Sequence, residues 1–266
     1  MKLGIIGGGA MAEAIVSGLL TSQILASRDI IVSDPQPERC LVLSERYGVH
    51  TTGDNLAVCA AELLLLAIKP QMFATVVAQI AEQVSSQLVI SILAGISLET
   101  LVASFPQCAL VRAMPNTPAL VRSGITALSR SSSTSEALFT RAKDLFAAVG
   151  TVVEVPESSM NAVTGLSGSG PGYLAVIIEG LIDGGVAVGL PRNIATRLVL
   201  QTVRGSAELL IQENLHPAVL KDRVTSPGGT TIAGIAQLEA HGVRSACIAA
   251  VQAAADRAKA LGEKND

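Results

Sequence analysis

Apolar and polar positions change period repeatedly along the first part of the chain. Short apolar runs alternate with stretches whose apolar residues recur every three or four positions, the mark of strands separated by amphipathic helices. Leu3, Ile5 and Ile6 form the first run, which stops in three glycines; beyond them Met11, Ala14, Ile15, Gly18 and Leu19 recur at helical spacing. The chain therefore opens strand, tight turn, helix. The same rhythm predicts strands at Ile30–Ser33, Val49–Thr51, Leu63–Ile68, Leu88–Ile92 and Ala109–Ala113. Helices are predicted at Pro37–Tyr47, closed by Gly48, and at Gln71–Val84 and Leu98–Ser104. Ile125–Leu128, a helix from Ser135 to Val149 and Thr151–Val155 extend the series, with Ser129–Ser135 as a capping loop. Such alternation implies an α/β fold with a doubly wound, Rossmann-type parallel sheet and right-handed crossovers.

From Met160 strand signals vanish. Tyr173–Val188 is apolar and carries Gly180, Gly184 and Gly185, which flatten one helix face and invite close packing. Gly189 and Pro191 stop that helix and start the next, over Ile194–Gln212; Pro217 begins another segment. Arg223–Gly234 is a glycine-proline loop running into a helix that ends near His241-Gly242, and a last helix covers Ser245–Leu261 before a tail, Glu263–Asp266, that frays. The expected organisation is a dinucleotide-binding domain over 1–159 and a smaller all-α domain over 160–266. About 100 residues of such apolar helix cannot cover their own faces, so this second domain is expected to form an intertwined homodimer.

Composition narrows the function. Nineteen basic and 22 acidic residues in 266 give a net charge of −3 without a basic block, which argues against nucleic acid as a partner. Aromatic residues are 2% of the chain, so the core must be built from aliphatic side chains, as suits a parallel sheet. No apolar run reaches the ~18 residues of a membrane span. Cys40, Cys59, Cys108 and Cys247 fall in no metal or redox spacing, so no metal is expected and the chain reads as cytoplasmic with reduced thiols.

The candidate chemistry begins in the first turn. Gly7, Gly9 and Ala12 fit G-x-G-x-x-A, a variant of the dinucleotide fingerprint. Gly7 permits the turn, Gly9 lets a pyrophosphate approach, Ala12 lets helix pack on strand, and the helix N-terminus offers free N–H groups. After the second strand, Ser33 and the nearby Arg39 favour the 2′-phosphate of NADP, whereas Asp34 favours the ribose of NAD or simply caps the next helix. Lys69-Pro70 and Leu93-Ala94-Gly95 lie at two further strand ends, where ligands of such sheets sit. Arg112–Ala119 (RAMPNTPA) is a loop stiffened by two prolines, with Arg112 free to pair with a carboxylate.

These pieces, in order, resemble one family. Gly7–Ala12, Ala67-Ile68-Lys69-Pro70 and Arg112–Pro118 match it, as do Ala162–Pro171 (AVTGLSGSGP), Asp183–Val186 and Gly189–Arg192. So do Leu220-Lys221-Asp222, Ser226–Ile232 (SPGGTTI) and Leu238-Glu239. The chain resembles pyrroline-5-carboxylate reductase over nearly its whole length. The resemblance implies reduction of the cyclic imine 1-pyrroline-5-carboxylate to L-proline, the last step of proline synthesis, with NADP(H) or alternatively NAD(H). It implies a homodimer as the minimum unit, with larger rings of dimers in some members. By matching position it places cofactor contacts on Gly7, Gly9, Ala10, Met11, Ala12, Ser33, Asn55, Ala67, Lys69, Pro70, Ala94 and Gly95. The substrate loop falls on Val224, Ser226, Gly228, Gly229, Thr230 and Thr231. There the loop's N–H groups hold the substrate carboxylate, and the Thr231 hydroxyl stands by the ring nitrogen as it gains electron density. A protonated imine needs no strong general acid, in keeping with His50, His216 and His241 lying outside every motif. Pro35 departs from the basic or small polar residue of many members, and Asn214 from an acidic one. A reductase of a six-membered piperideine carboxylate and a non-catalytic NADP-binding regulator are the competing readings.

Overall fold

A computed structural model describes residues 2–262; the tail Glu263–Asp266 lies outside the described residues. The chain forms two units, Met1–Ser169 with Gln252–Asp266, and Gly170–Val251. The first change of unit thus falls after Ser169, and the end of the last helix groups with the first unit.

The first unit is built on an eight-stranded sheet of order β3-β2-β1-β4-β5-β6-β7-β8. Its strands are β1 Leu3–Ile6, β2 Ile30–Ser33, β3 His50–Thr52, β4 Leu63–Leu66, β5 Leu88–Ser91, β6 Ala109–Met114, β7 Gly124–Arg130 and β8 Gly150–Glu154. The connecting helices are α1 Ala10–Thr21, α2 Pro37–Tyr47, α3 Phe73–Ile80, α4 Leu98–Ser104 and α5 Glu136–Ala147, with α6 Met160–Val163 following the sheet. At the centre, Ile5 of β1 lies between Val32 of β2 and Leu65 of β4, all three fully buried. Because successive side chains point to opposite faces, Leu63 and Leu65 join one core with Ile15, Leu19, Phe139 and Phe146, while Leu64 and Leu66 join the other with Phe73, Ile80, Leu101 and Phe105. Covering both faces is what a near-continuous apolar strand such as Leu63–Leu66 requires. Each such side chain contributes about 1.5–3 kcal/mol.

Alternation predicts parallel neighbours throughout, and every pairing is parallel except that of β6 with β7. The reason lies in the link: between them runs only a 3-10 segment, Thr117–Val121. A parallel return needs a crossover of about a dozen residues or more. The predicted capping loop Ser129–Ser135 is shorter than expected, because Ser129 and Arg130 belong to β7; Ser135 does cap α5, accepting from the Leu138 N–H at 3.3 Å. The predicted helix Gln71–Val84 is α3 flanked by 3-10 turns at Pro70–Met72 and Ala81–Gln83. Likewise β4 ends at Leu66, and Ala67 turns away toward Pro70.

The second unit holds helices alone: α7 Gly170–Ala187, α8 Arg192–Gln212, α9 Pro217–Arg223, α10 Thr230–Ala240 and the first part of α11 Val243–Gly262. Pro191 caps α8 rather than entering it. Gly185 lets α7 approach α8, since a Cβ there would stand 3.0 Å from the Ala195 methyl. Gly180 and Gly184 face open space instead. Among the described residues of this unit Ala195 is the one buried apolar side chain, while Val176, Val188 and Ile211 are more than two-thirds exposed. No helix among the described residues is long and apolar enough to cross a membrane.

Candidate active site

The strand order reverses between β1 and β4, and in open sheets of this kind the ligand crevice opens outside the carboxyl ends at that point. A cleft of about 630 Å³ lies there. It brings together Gly7, Gly9, Ser33, Asn55, Ala67 and Lys69 from the predicted set, with Asp34 and Arg39 beside them.

The turn at its base is fixed by packing. Gly7 has φ +97°, and a Cβ there would stand 2.6 Å from the Ala67 carbonyl oxygen. Its N–H donates to the Ser33 carbonyl at 2.8 Å, tying the turn to the end of β2. Gly9 serves the opposite purpose: it is the N-cap of α1, has ordinary φ −65°, and a Cβ on it would meet nothing within 4 Å. The room it leaves lies over the first turn of α1. There the N–H groups of Ala10, Met11 and Ala12 precede the first helical bond, donated by Glu13 to the Gly9 carbonyl. Ala12 itself is buried, as close packing of helix on sheet requires. The residues fit a pyrophosphate: a carbon-free approach, a helix N-terminus and no side chain in the way.

At the far end of the cleft Ser33 is fully buried, and its hydroxyl donates to Asn55 Oδ1 at 2.8 Å. Asn55 in turn donates to Gln79 Oε1 at 2.8 Å. Asp34 accepts from the Gly8 N–H at 2.8 Å and the Gln36 N–H at 2.9 Å, so of its two predicted roles the helix-entry turn is the one its bonds display. Lys69 and Pro70 lead into the 3-10 turn that carries Met72 to the rim. Leu56, Met72 and Val76 line the same cleft. Sequence reasoning missed them, although Leu56 and Met72 follow closely on Asn55 and Pro70 in the chain.

Ala94 and Gly95 follow β5 and stand apart from the lining of this cleft. Gly95 has φ +79°, and the end of α11 lies against it: a Cβ on Gly95 would meet the Gly262 nitrogen at 3.1 Å. The stiff loop after β6 is anchored rather than free. Asn116 accepts from the Ile125 N–H at 2.9 Å and donates to the Ser167 carbonyl at 3.2 Å, inside a π-helical turn over Thr164–Gly168. Arg112 is buried and pairs with Glu157 at 2.7 Å, which makes it a structural ion pair.

In the second unit, Val224 caps α9 and the predicted substrate loop runs straight into α10. Gly228 has φ +66°, and Gly229 is the N-cap of α10, donating its N–H to the Ser226 carbonyl at 3.0 Å. A Cβ at Gly229 would stand 3.1 Å from the Ser226 carbonyl oxygen and would turn the Ser226 hydroxyl aside. Thr230 and Thr231 open α10, where N–H groups again lack helical acceptors. Asn214, in left-handed backbone at φ 49°, ends α8 as the Leu215 N–H reaches back to the Leu210 carbonyl. His216 caps α9 through Nδ1, accepting from the Ala218 N–H at 3.2 Å, and His241 caps the end of α10. Among the described residues no cluster of His, Cys, Asp or Glu is arranged to hold a metal.

Known proteins share this arrangement. Residues 2–95 match the family described as NADP oxidoreductase, coenzyme F420-dependent, and residues 157–261 match pyrroline-5-carboxylate reductase dimerisation. A pyrroline-5-carboxylate reductase of Synechocystis sp. is 52% identical over 265 residues, covering 99% of both chains. Among solved structures, the Coxiella burnetii pyrroline-5-carboxylate reductase superposes with a TM-score of 0.91 at 35% identity, covering 98% of each chain. The Plasmodium falciparum pyrroline carboxylate reductase, solved with NADP bound, gives 0.90 at 31% identity and the same coverage. With its glycine turn, its helical second unit and this full-length identity, the chain belongs to the pyrroline-5-carboxylate reductase family.

Proposed function

We propose that the protein reduces 1-pyrroline-5-carboxylate to L-proline, the closing step of proline biosynthesis, with NADPH as reductant. The observation that carries this reading is the pairing of two glycine-capped helix starts on one chain, Gly7–Ala12 opening α1 and Ser226–Thr231 opening α10, in a chain 52% identical to a reductase of that name. When bound, NADPH supplies the hydride that the imine carbon receives.

The protein's own groups have three tasks. The Gly7–Ala12 turn and the dipole of α1 hold the pyrophosphate, with Ala67, Lys69 and Pro70 at the next strand end, while Ala94 and Gly95, outside that cleft, leave room for the nicotinamide ribose. The N–H groups at the start of α10, with Ser226, Gly228, Gly229 and Thr230, hold the substrate carboxylate without an arginine, and Val224 supplies apolar contact beside them. Thr231 places its hydroxyl at the ring nitrogen, where electron density gathers as the C=N bond is reduced. Proline and the oxidised nucleotide are the products. The ring nitrogen of a protonated imine arrives with its proton, so no histidine is required.

The second unit leaves Val176, Val188 and Ile211 open and matches a dimerisation family, which supports a homodimer that covers them. Four free cysteines suit a reducing compartment, and the reading places the enzyme in the cytoplasm. Steady-state rates with a panel of cyclic imines test the proposal. The five-membered pyrroline carboxylate is expected to give the highest kcat/KM; a higher value for the six-membered piperideine carboxylate, or no turnover with either, overturns it.

A further inference from the structure

The turn between β5 and α4 carries Ala94 and Gly95 and is held at both ends. At its start Ser91 is buried, and its hydroxyl accepts from the Leu93 N–H at 3.3 Å. Leu93 and Ile96, on either side of the pair, are buried, and Gly95 meets the end of α11. At the far end the Ser97 hydroxyl caps α4, accepting from the Thr100 N–H at 3.0 Å. That leaves the Leu98 N–H, at the first helical position, without a helical acceptor. It donates at 3.1 Å to Glu157 Oε1, from a position 59 residues distant in the chain. The same oxygen takes the guanidinium of buried Arg112 at 2.7 Å, and Arg112 stands in register with Ser91. One carboxylate oxygen therefore joins β6 to the entry of α4, and all of these residues belong to the first unit.

Replacing a largely buried ion pair by apolar side chains of similar volume is often neutral for stability, so stability alone does not account for Arg112 and Glu157. What apolar side chains cannot supply is the acceptor for Leu98. We infer that Glu157 is a positioning residue for hydride transfer: through the Leu98 N–H, and aimed by Arg112, it fixes the Ala94–Gly95 turn that leaves room for the nicotinamide ribose. The inference rests on the nucleotide-dependent reduction proposed above. In that reading the pyrophosphate is anchored elsewhere, at the Gly7–Ala12 turn. Loosening the Ala94–Gly95 turn therefore misplaces the reacting end of the nucleotide and leaves its anchor intact.

Two variants of the intact protein cut the link from opposite sides. The double variant Arg112→Met with Glu157→Leu removes the carboxylate without stranding a buried charge. Leu98→Pro removes the N–H and keeps the ion pair, since proline is accepted at a first helical position. In both, amide exchange of the 92–98 segment in the ligand-free protein should quicken at least about tenfold. Turnover should fall roughly 10- to 100-fold in kcat, the worth of a misplacement of about 1 Å, while NADPH affinity stays within about threefold. The isotope effect on kcat with NADPH deuterated at its reactive carbon should rise as hydride transfer slows. Glu157→Gln, which keeps an acceptor oxygen for Leu98, should restore most of the exchange protection and most of kcat. A folded double variant or Leu98→Pro protein with native kcat overturns the inference. So does a loss of kcat with exchange of the 92–98 segment unchanged, or a Glu157→Gln protein as slow as the double variant. Native protein that does not turn over 1-pyrroline-5-carboxylate overturns the parent reading and this one with it; native turnover left unaltered by breaking the link overturns this one alone.

Discussion

Gly7 and Gly9 sit two residues apart in one turn, yet the structure assigns them separable duties. At Gly7 a methyl group fails twice: φ +97° is a backbone region costly to L-residues, and the new carbon would stand 2.6 Å from the Ala67 carbonyl oxygen. The backbone strain costs about 1–3 kcal/mol. The overlap with a main-chain atom, which cannot rotate away, adds about 1–3 kcal/mol. Gly7→Ala should therefore lose about 2–6 kcal/mol of stability, read by urea denaturation, and nucleotide binding with it. Gly9→Ala meets neither obstacle, because φ is −65° and the space beyond is empty. Its cost is that of alanine for glycine at an N-cap, at most about 1 kcal/mol. On the proposed reading the methyl nevertheless stands where the pyrophosphate approaches, so NADPH affinity should fall at least about tenfold, worth about 1.4 kcal/mol. Denaturation midpoints and fluorescence-titrated affinities on both variants give the comparison. Equal destabilisation by the two substitutions, or native NADPH affinity in a folded Gly9→Ala protein, would refute the reasoning.

Three further outcomes follow from other parts of the structure. Thr231→Ala should lower kcat roughly 30- to 1000-fold with NADPH affinity little changed, and Thr231→Ser should restore much of it; native turnover in a variant that merely melts earlier would leave Thr231 as a helix-opening residue only. Glu157→Leu strips the partner from buried Arg112 and should cost about 2–4 kcal/mol, less than a wholly buried pair because Glu157 is partly exposed, and the double variant with Arg112→Met should recover most of it in thermal melts. The hydrogen bond from Arg39 holds the Glu13 carboxyl below its usual value of 4.5, against the opposing effect of burial. A depressed carboxylate stabilises the fold above its unfolded pKa and ceases to as pH falls through the folded one. Glu13→Gln should thus be less stable than the native protein at neutral pH, with the difference closing as pH drops below 4.5; a gap of constant size down to pH ~2 would contradict the assignment.

The central strands were legible because a buried parallel strand has a blunt signature: Leu63–Leu66 can be read as little else. The glycine turn was legible as a motif, but the packing that forces glycine at Gly7 comes from Ala67, sixty residues away, and is visible only in three dimensions. The antiparallel placement of β7 depends on the shortness of its link, a property of topology that strand composition does not carry. Similarly, Ser33 and Asp34 announced a cofactor-reading corner, yet their bonds go to Asn55 and to the Gly8 and Gln36 amides. Which partner a polar side chain takes is decided by distant chain that happens to pass. The helical half was readable as helix and its apolar faces as an interface, whereas which side chains stay exposed, and that a Cβ at Gly180 or Gly184 would meet nothing, is visible only in three dimensions.

The claim that this chain moves a hydride from nucleotide to imine carbon is tested most directly by isotope. NADPH deuterated at the reactive carbon of its nicotinamide, on each face in turn, is incubated with the purified enzyme and 1-pyrroline-5-carboxylate, and the product is analysed by mass spectrometry. The account predicts L-proline carrying one deuterium, at the former imine carbon, from one of the two labelled forms. Unlabelled proline from both forms, or no proline at all, would contradict it.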